Sequence, residues 1–304
     1  MVAADESPPA GDHRHLAWVI VGAILAVAIA AAAVYLVWPR PEPAPAATPE
    51  PVPVITPTPT PSPTPTGHPE NTTTYDLTGL PEANVLAVIP ALPVDDEPDA
   101  AFAGFTAHAV SAAAPIWADP TGDPVAVLPH EFVFDGTTVA VVERQDHWVR
   151  VLLAGRQAQP SSGNPAQITG WLRSSDVELT PVDTIVEVDI SDRTIDIVRG
   201  AQRQRVATDF AWGADTTPTP TGRSFVMMTR VVESFGYTRG WPLVYLSVQS
   251  PTLDAFGGSD AAVTAFHYHD TRSGPISNGC IRVDETAIAA LADVPLGAGV
   301  IIRP

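Results

Sequence analysis

The chain of 304 residues has one cysteine, Cys280, and no lysine; its sixteen cationic side chains are all arginine, against thirty-four carboxylates and a net charge of −18. A lone thiol excludes an internal disulfide, which leaves an intermolecular partner, an inert buried thiol or a nucleophile. The acidic balance argues against nucleic acid and anionic lipid as partners, since both are bound through clustered cations. Helical periodicity is scarce as well. Past the first seventy residues it appears only in DETAIAALADV (284–294), so the C-terminal bulk reads as mostly β.

What is present begins with one long apolar run. Leu16 to Trp38 carries no charge, and at ~1.5 Å per residue it spans a ~30 Å hydrocarbon core as a single helix. It ends on Tyr35, Leu36, Val37 and Trp38, the aromatic edge of a membrane interface rather than the small-residue site of a cleaved signal peptide. The organisation expected is a cytoplasmic lead over 1–15, an uncleaved transmembrane helix over 16–38 and a Pro/Thr-rich linker over 39–70, extended as polyproline II at ~3.1 Å per residue. Arg14 and Arg40 flank the helix on opposite sides, so charge does not orient it. A single-pass location in the cell membrane, with the C-terminal bulk extracytoplasmic, rests on the chemistry below. Residues 71–105 read as a loosely structured connector, an apolar run from Val85 to Leu92 beside an acidic patch.

Two β-rich regions follow. In 106–181 short strands are expected over 125–129, 137–145, 147–155 and 169–179, bounded by Gly, Asp and Pro. VVERQDHWVRV followed by GWLRSSDVEL resembles the bacterial SH3-like domain, with Trp148 and Trp171 either in the barrel core or lining a groove for wall peptide or glycan. In 182–304 strands are expected over 184–191, 194–200, 204–213, 223–234, 242–250 and 262–270, with a helix over 284–294 and a last strand in GVIIRP. Cys280 lies in ISNGCIRV, where Asn278 and Gly279 leave backbone amides able to approach an oxyanion and a strand resumes at once. Upstream, in FHYHD, His267 and His269 share a face if the stretch is extended, and an imidazole beside the thiol would take its proton.

ADTTPTPTGRSFV (214–226), AFHYHD (265–270) and GPISNGCIRVDETAIAAL (274–291), in that order, resemble the YkuD-type catalytic domain of the L,D-transpeptidases. The resemblance implies a β-sandwich with one helix after the catalytic cysteine. Cys280 would attack the carbonyl that joins the third residue of a peptidoglycan tetrapeptide stem to its terminal D-alanine, expel D-alanine and form a thioester. The side-chain amine of a neighbouring stem would resolve it into a three-to-three cross-link. Carried over by position, Cys280 is the nucleophile, Gly279 the glycine beside it, Ser277 and Arg282 the flanks of the motif, and Gly274 the loop glycine before it. The amides of Gly279 and Cys280 would form the oxyanion hole. His267 matches the base better than His269, and Tyr268 would then supply the carbonyl that orients it. Asn278 stands where the family usually has histidine, and the interval from the histidine to Cys280 is short. The resemblance implies no cofactor, donor and acceptor stem peptides as partners, and inhibition by β-lactams, carbapenems above all.

Rival readings keep less of this pattern. His267, His269, Asp270 and Cys280 form a weak set for zinc, without a second close pair of ligands. Water in place of the acceptor amine would make a carboxypeptidase or endopeptidase of stem peptides. A silent catalytic fold would leave a membrane-tethered wall-binding protein. The stretch LDAFGGSDAA (253–262) is either a lid, whose Asp254 and Asp260 attract an incoming amine, or a surface loop.

Overall fold

A computed structural model describes residues 67–304. The lead over 1–15, the transmembrane helix over 16–38 and the linker as far as residue 66 lie outside the described residues. Among the described residues no helix is long and apolar enough to cross a membrane. Contacts divide the chain into Met1–Ser62 and Pro63–Pro304, and the second unit is the one described.

Its first sheet contains β1 (Phe105–Ala109), β4 (Val139–Arg144), β5 (Trp148–Arg156), β6 (Gln167–Arg173) and β7 (Val177–Pro181), in the order β6-β5-β4-β1-β7 and antiparallel throughout. A hairpin of β2 (Ala113–Ile116) and β3 (Ala126–Pro129) packs beside it. Two differences from the sequence reading stand out. β1 and β2 are Ala-rich, FTAHA and AAPI, and alanine carries little strand propensity, so neither announces itself. The strand expected over 169–179 breaks at a 3-10 turn, Ser174–Asp176, which splits it into β6 and β7. Trp148 is fully buried, edge-on to Trp117, and its Nε1 donates to the Pro69 carbonyl at 2.9 Å. His68 stands edge-on to Trp171 and Tyr75 edge-on to Trp117, so the chain's own residues 68–75 cover the aromatic face that could have been a wall-binding groove.

The second sheet has ten strands: β8 (Thr184–Asp189), β9 (Thr194–Arg199), β10 (Gln202–Ala207), β11 (Ala211–Gly213), β12 (Gly222–Arg230), β13 (Leu243–Gln249), β14 (Val263–Tyr268), β15 (Gly274–Ser277), β16 (Ile281–Val283) and β17 (Gly299–Arg303). Their order is β10-β9-β8-β17-β12-β13-β14-β16-β11-β15, with β12 as the pivot. Gly222 to Phe225 pair with β17, and Val226 to Arg230 pair with β13 across a register shift, so one long strand joins the two leaves of a β-sandwich. Between the leaves lie Val186, Val188, Ile195, Val244, Leu246, Phe266 and Ile281. Helix α1 (Glu285–Ala292) closes that core with Ala287, Ile288 and Leu291; Asp284 caps it, its carboxylate accepting from Ala287 N at 2.8 Å. The strand expected over 204–213 is interrupted after Ala207, because Phe210 turns into the core.

Strand β12 also decides how the two sheets meet. By the two-residue period its side chains alternate, so Val226 faces the sandwich core while Phe225 and Met227 belong to the core of the first sheet. The connector has no strand of its own, yet it is clasped rather than loose. Val85, Ile89 and Leu92 are buried in the first core, and backbone bonds tie Ala83 N to Val127 O, Ile89 N to Arg156 O and Ala103 N to Val141 O. Asp95 makes a bidentate ion pair with Arg223 of β12, both bonds 2.7 Å and the two side chains 2% and 1% exposed.

Candidate active site

Cys280 immediately precedes β16, which lies parallel to β14 in the register Phe266 to Ile281 and His267 to Arg282. Carried back one step, that register sets Cys280 opposite Ala265, so Ala265, His267, Cys280 and Arg282 fall on one face by strand alternation. The cleft in front of that face has a volume of about 510 Å³, and both Cys280 and His267 line it. The rest of the lining is largely apolar: Met227, Met228, Tyr245, Val263 and Phe256 are among it, and Arg230 is its one fixed charge.

The turn before Cys280 is fixed by threonines of the 214–222 segment. Thr219 Oγ1 accepts from Gly213 N at 2.9 Å and donates to Gly279 O at 3.0 Å; Thr217 Oγ1 donates to Ser277 O at 3.0 Å, and Ala214 N reaches the same carbonyl. Gly279 has φ +108, the left-handed region that glycine adopts at no steric cost, and its absent side chain leaves the Pro218 carbonyl 3.5 Å from where a Cβ would stand. Ser277, buried, donates from Oγ to the Cys280 carbonyl at 2.5 Å and accepts from Gly279 N at 3.1 Å. That last bond departs from the oxyanion hole expected of two amides: the Gly279 N–H is engaged within the turn. Asn278 is exposed on the turn, and Gly274, φ +83, opens β15 with open space around its Cα.

The two histidines differ in tautomer. His267 is buried and its Nδ1 lies 2.9 Å from the Tyr268 carbonyl, which only accepts, so Nδ1 carries the proton and Nε2 the lone pair. His269 is arranged the other way, because its Nδ1 accepts from Thr271 N at 2.9 Å, and it does not line the cleft. Both rings rest against Tyr237, at 5.4 and 5.7 Å between centroids. Burial pushes the His267 pKa down to about 4, with Arg282 and His269 acting in the same direction against the Tyr268 hydrogen bond. Burial pushes the Cys280 thiol up, partly offset by a backbone hydrogen bond from Ala265 and by the Arg282 charge. Tyr237 is pushed up to about 12, chiefly by burial and then by Cys280. At neutral pH the cleft therefore holds a thiol and a neutral imidazole, with Cys280 Sγ directed at the Val263 carbonyl at 3.9 Å.

Other residues are placed differently from their sequence reading. The Asp270 carboxylate takes the Tyr268 hydroxyl at 2.7 Å and Arg239 at 2.8 Å, and among the described residues no group of three or more His, Cys, Asp or Glu is placed to hold a metal ion. In the 253–262 stretch it is Phe256, Gly257, Ser259 and Ala261 that line the cleft, and neither Asp254 nor Asp260 does. Thr217, Thr219, Tyr237 and Met228 were not singled out from sequence. For the threonines a signal existed, the alternating Thr-Pro of 216–221, but their hydroxyls acquire partners only when 277–279 folds against them.

A sandwich with a thiol and an imidazole on one cleft wall is an architecture suited to acyl transfer. Residues 183–302 match the family model described as YkuD, the L,D-transpeptidase catalytic domain. The match spans 120 of the 304 residues. No curated protein matches the chain. Among solved structures, an L,D-transpeptidase from Mycobacterium smegmatis is similar at 16% identity over 52% of this chain and 91% of its own, TM-score 0.31. L,D-transpeptidase 3 from Mycobacterium tuberculosis, solved with a faropenem-derived adduct, is similar at 12% over 52% and 92%, TM-score 0.31. The catalytic domain of the E. faecium L,D-transpeptidase is similar at 21% over 40% and 97%, TM-score 0.27.

Proposed function

We propose that this chain is a peptidoglycan L,D-transpeptidase that forms three-to-three cross-links. Cys280 Sγ attacks the carbonyl between the third residue of a donor tetrapeptide stem and its terminal D-alanine, while His267 Nε2 takes the thiol proton. The tetrahedral oxyanion falls to the Cys280 amide, since the Gly279 amide is engaged by Ser277. As the carbon–nitrogen bond breaks, the proton on His267 passes to the departing amine of D-alanine and a thioester remains on Cys280. The side-chain amine of a second stem attacks it, loses its proton to His267 and regenerates the thiol. The balance needs no metal and no organic cofactor. We further propose that 106–181 is an SH3-like module and that the apolar run over 16–38 tethers the enzyme to the cell membrane with the cleft facing the wall.

The observation that carries the reading is the pair formed by Cys280 and a His267 whose Nδ1 is tied to Tyr268 O, both on one apolar cleft inside the segment that matches the family model. The test is the intact mass of the purified chain after incubation with a carbapenem, a strained acyl donor for the same thiol. One adduct per chain is expected. It disappears in Cys280→Ala, and in His267→Ala it forms about 10²- to 10⁴-fold more slowly, the usual contribution of a positioned base. A folded wild-type chain that stays unmodified overturns the reading.

A further inference from the structure

The catalytic cleft is not built by the catalytic segment alone. Val85 and Leu86 of the connector and Phe134, between β3 and β4, line it together with Cys280, and the 251–262 loop adds Phe256, Gly257, Ser259 and Ala261. One side chain joins these pieces. Arg156, at the end of β5, is 2% exposed and has no carboxylate within ion-pair distance among the described residues. Its guanidinium donates instead to main-chain carbonyls of the loop, from Nη1 to Leu253 O at 3.2 Å and from Nη2 to Asp254 O. Its own backbone pairs with the connector, N to Ala87 O at 3.1 Å and O from Ile89 N at 2.9 Å. The connector comes this close because residue 155 is glycine: a Cβ there would meet the Asn84 carbonyl at 2.8 Å, and φ is +106. A second tether runs from Ser161 N to the Asp254 carboxylate at 2.9 Å.

A buried guanidinium held only by carbonyl oxygens is a costly arrangement, and it becomes costlier when those carbonyls leave, since its donors are then unpaired inside the protein. The loop is thereby bound to the first sheet more firmly than its exposed, glycine-bearing tip suggests. We propose that Arg156 is a positioning residue that latches the 251–262 loop over the Cys280 cleft from the first sheet, so that the first sheet and the connector complete the substrate site. Selectivity for the stem then depends on residues outside 183–302. The inference deepens the transpeptidase reading and rests on it only for the kinetic arm of its test.

The experiment is hydrogen exchange by mass spectrometry on the full chain, wild type against Arg156→Met and Asp254→Ala, with steady-state kinetics on a tetrapeptide stem. In Arg156→Met the amides of 251–262 are expected to exchange about tenfold faster or more, the worth of one charge-assisted hydrogen bond, while those of β8, β9 and β16 keep their rates. KM for the stem rises by a similar factor with kcat within about twofold, the mark of lost binding rather than lost chemistry. Arg156→Lys recovers part of the KM, and Asp254→Ala, which removes the Ser161 tether and a carboxylate's attraction for Arg156 but leaves both guanidinium bonds to main-chain carbonyls, loosens the loop by a smaller factor. Unchanged loop exchange in both variants overturns the latch, as does acceleration shared equally by β8 and β9, which would make Arg156 a core residue and nothing more. A loosened loop with unchanged KM overturns its role in the site. The exchange arm uses no substrate, so the latch and the transpeptidase reading fail separately.

Discussion

His267 and Cys280 are held in their neutral forms by the same burial, which pushes the imidazole down to about 4 and the thiol up. With His267 as the proposed base, free at every pH above about 4, the acylation rate is expected to be level from about pH 5.5 to 8 and to fall only in the acid range. A pH profile of carbapenem acylation checks this, and an inflection near 6.5 would contradict a buried neutral base. The same shift bears on stability. The unfolded imidazole takes up a proton near 6.5 while the folded one resists until about 4, so the unfolded chain binds more protons between those values. Stability from this group is complete above 6.5 and is lost as pH falls toward 4, by roughly 3 kcal/mol in all. Urea unfolding at pH 7 and 4.5 should show that much more acid loss in the wild type than in His267→Gln; the difference between the two cancels the carboxylates, which titrate in both.

Among the elements, the 214–222 segment is the one on which the turn before Cys280 depends. Thr219 Oγ1 spans Gly213 N and Gly279 O, so Thr219→Val leaves one donor and one acceptor unmatched in a buried place. The expected cost is about 1–3 kcal/mol of stability, with acylation slower as Gly279 loosens, both measurable on one preparation. Gly213→Ala is expected to be more severe, since a Cβ would stand 2.2 Å from the Thr217 carbonyl and 2.4 Å from Thr219 N, backbone atoms with nowhere to retreat. The cap of α1 is less sensitive: Asp284→Ala removes it at about 1 kcal/mol and should leave acylation unchanged.

At the scale of the whole unit, the two sheets share β12, whose Phe225 and Met227 serve one core and Val226 the other. The connector is tied to the same strand by the Asp95 to Arg223 pair, buried on both sides. Asp95→Asn leaves the guanidinium charged and uncompensated in the interior, a change that costs about 3–5 kcal/mol. Thermal unfolding of the wild type should show one transition for 63–304, and Asp95→Asn should lower it. Two separate transitions in the wild type would mean that the sheets are independent despite the shared strand.

Much of the candidate site is legible without a structure. The lone Cys280 behind Gly279, a histidine in an apolar stretch and the Thr-Pro segment are local patterns, and so is the helix over 284–294, whose observed span, Glu285–Ala292, differs only at the frayed ends. Strand alternation in 184–200 and 242–250 is local in the same sense. The family resemblance pointed to His267 with the Tyr268 carbonyl on its Nδ1, the bond the structure has; residue types alone did not make the choice legible, because it lies in whether Nδ1 meets a carbonyl or an amide, Tyr268 O or Thr271 N. Nor was the engagement of the Gly279 amide by Ser277, or the union of connector, first sheet and loop around Arg156. The sequence by itself determined the chemical groups and most strands of the second sheet with its helix, since those follow from periodicity and residue type over a few positions. The tertiary structure alone decided which groups share a desolvated space, because burial, tautomer and the partners of a side chain are set by residues as distant in the chain as Arg156 and Leu253.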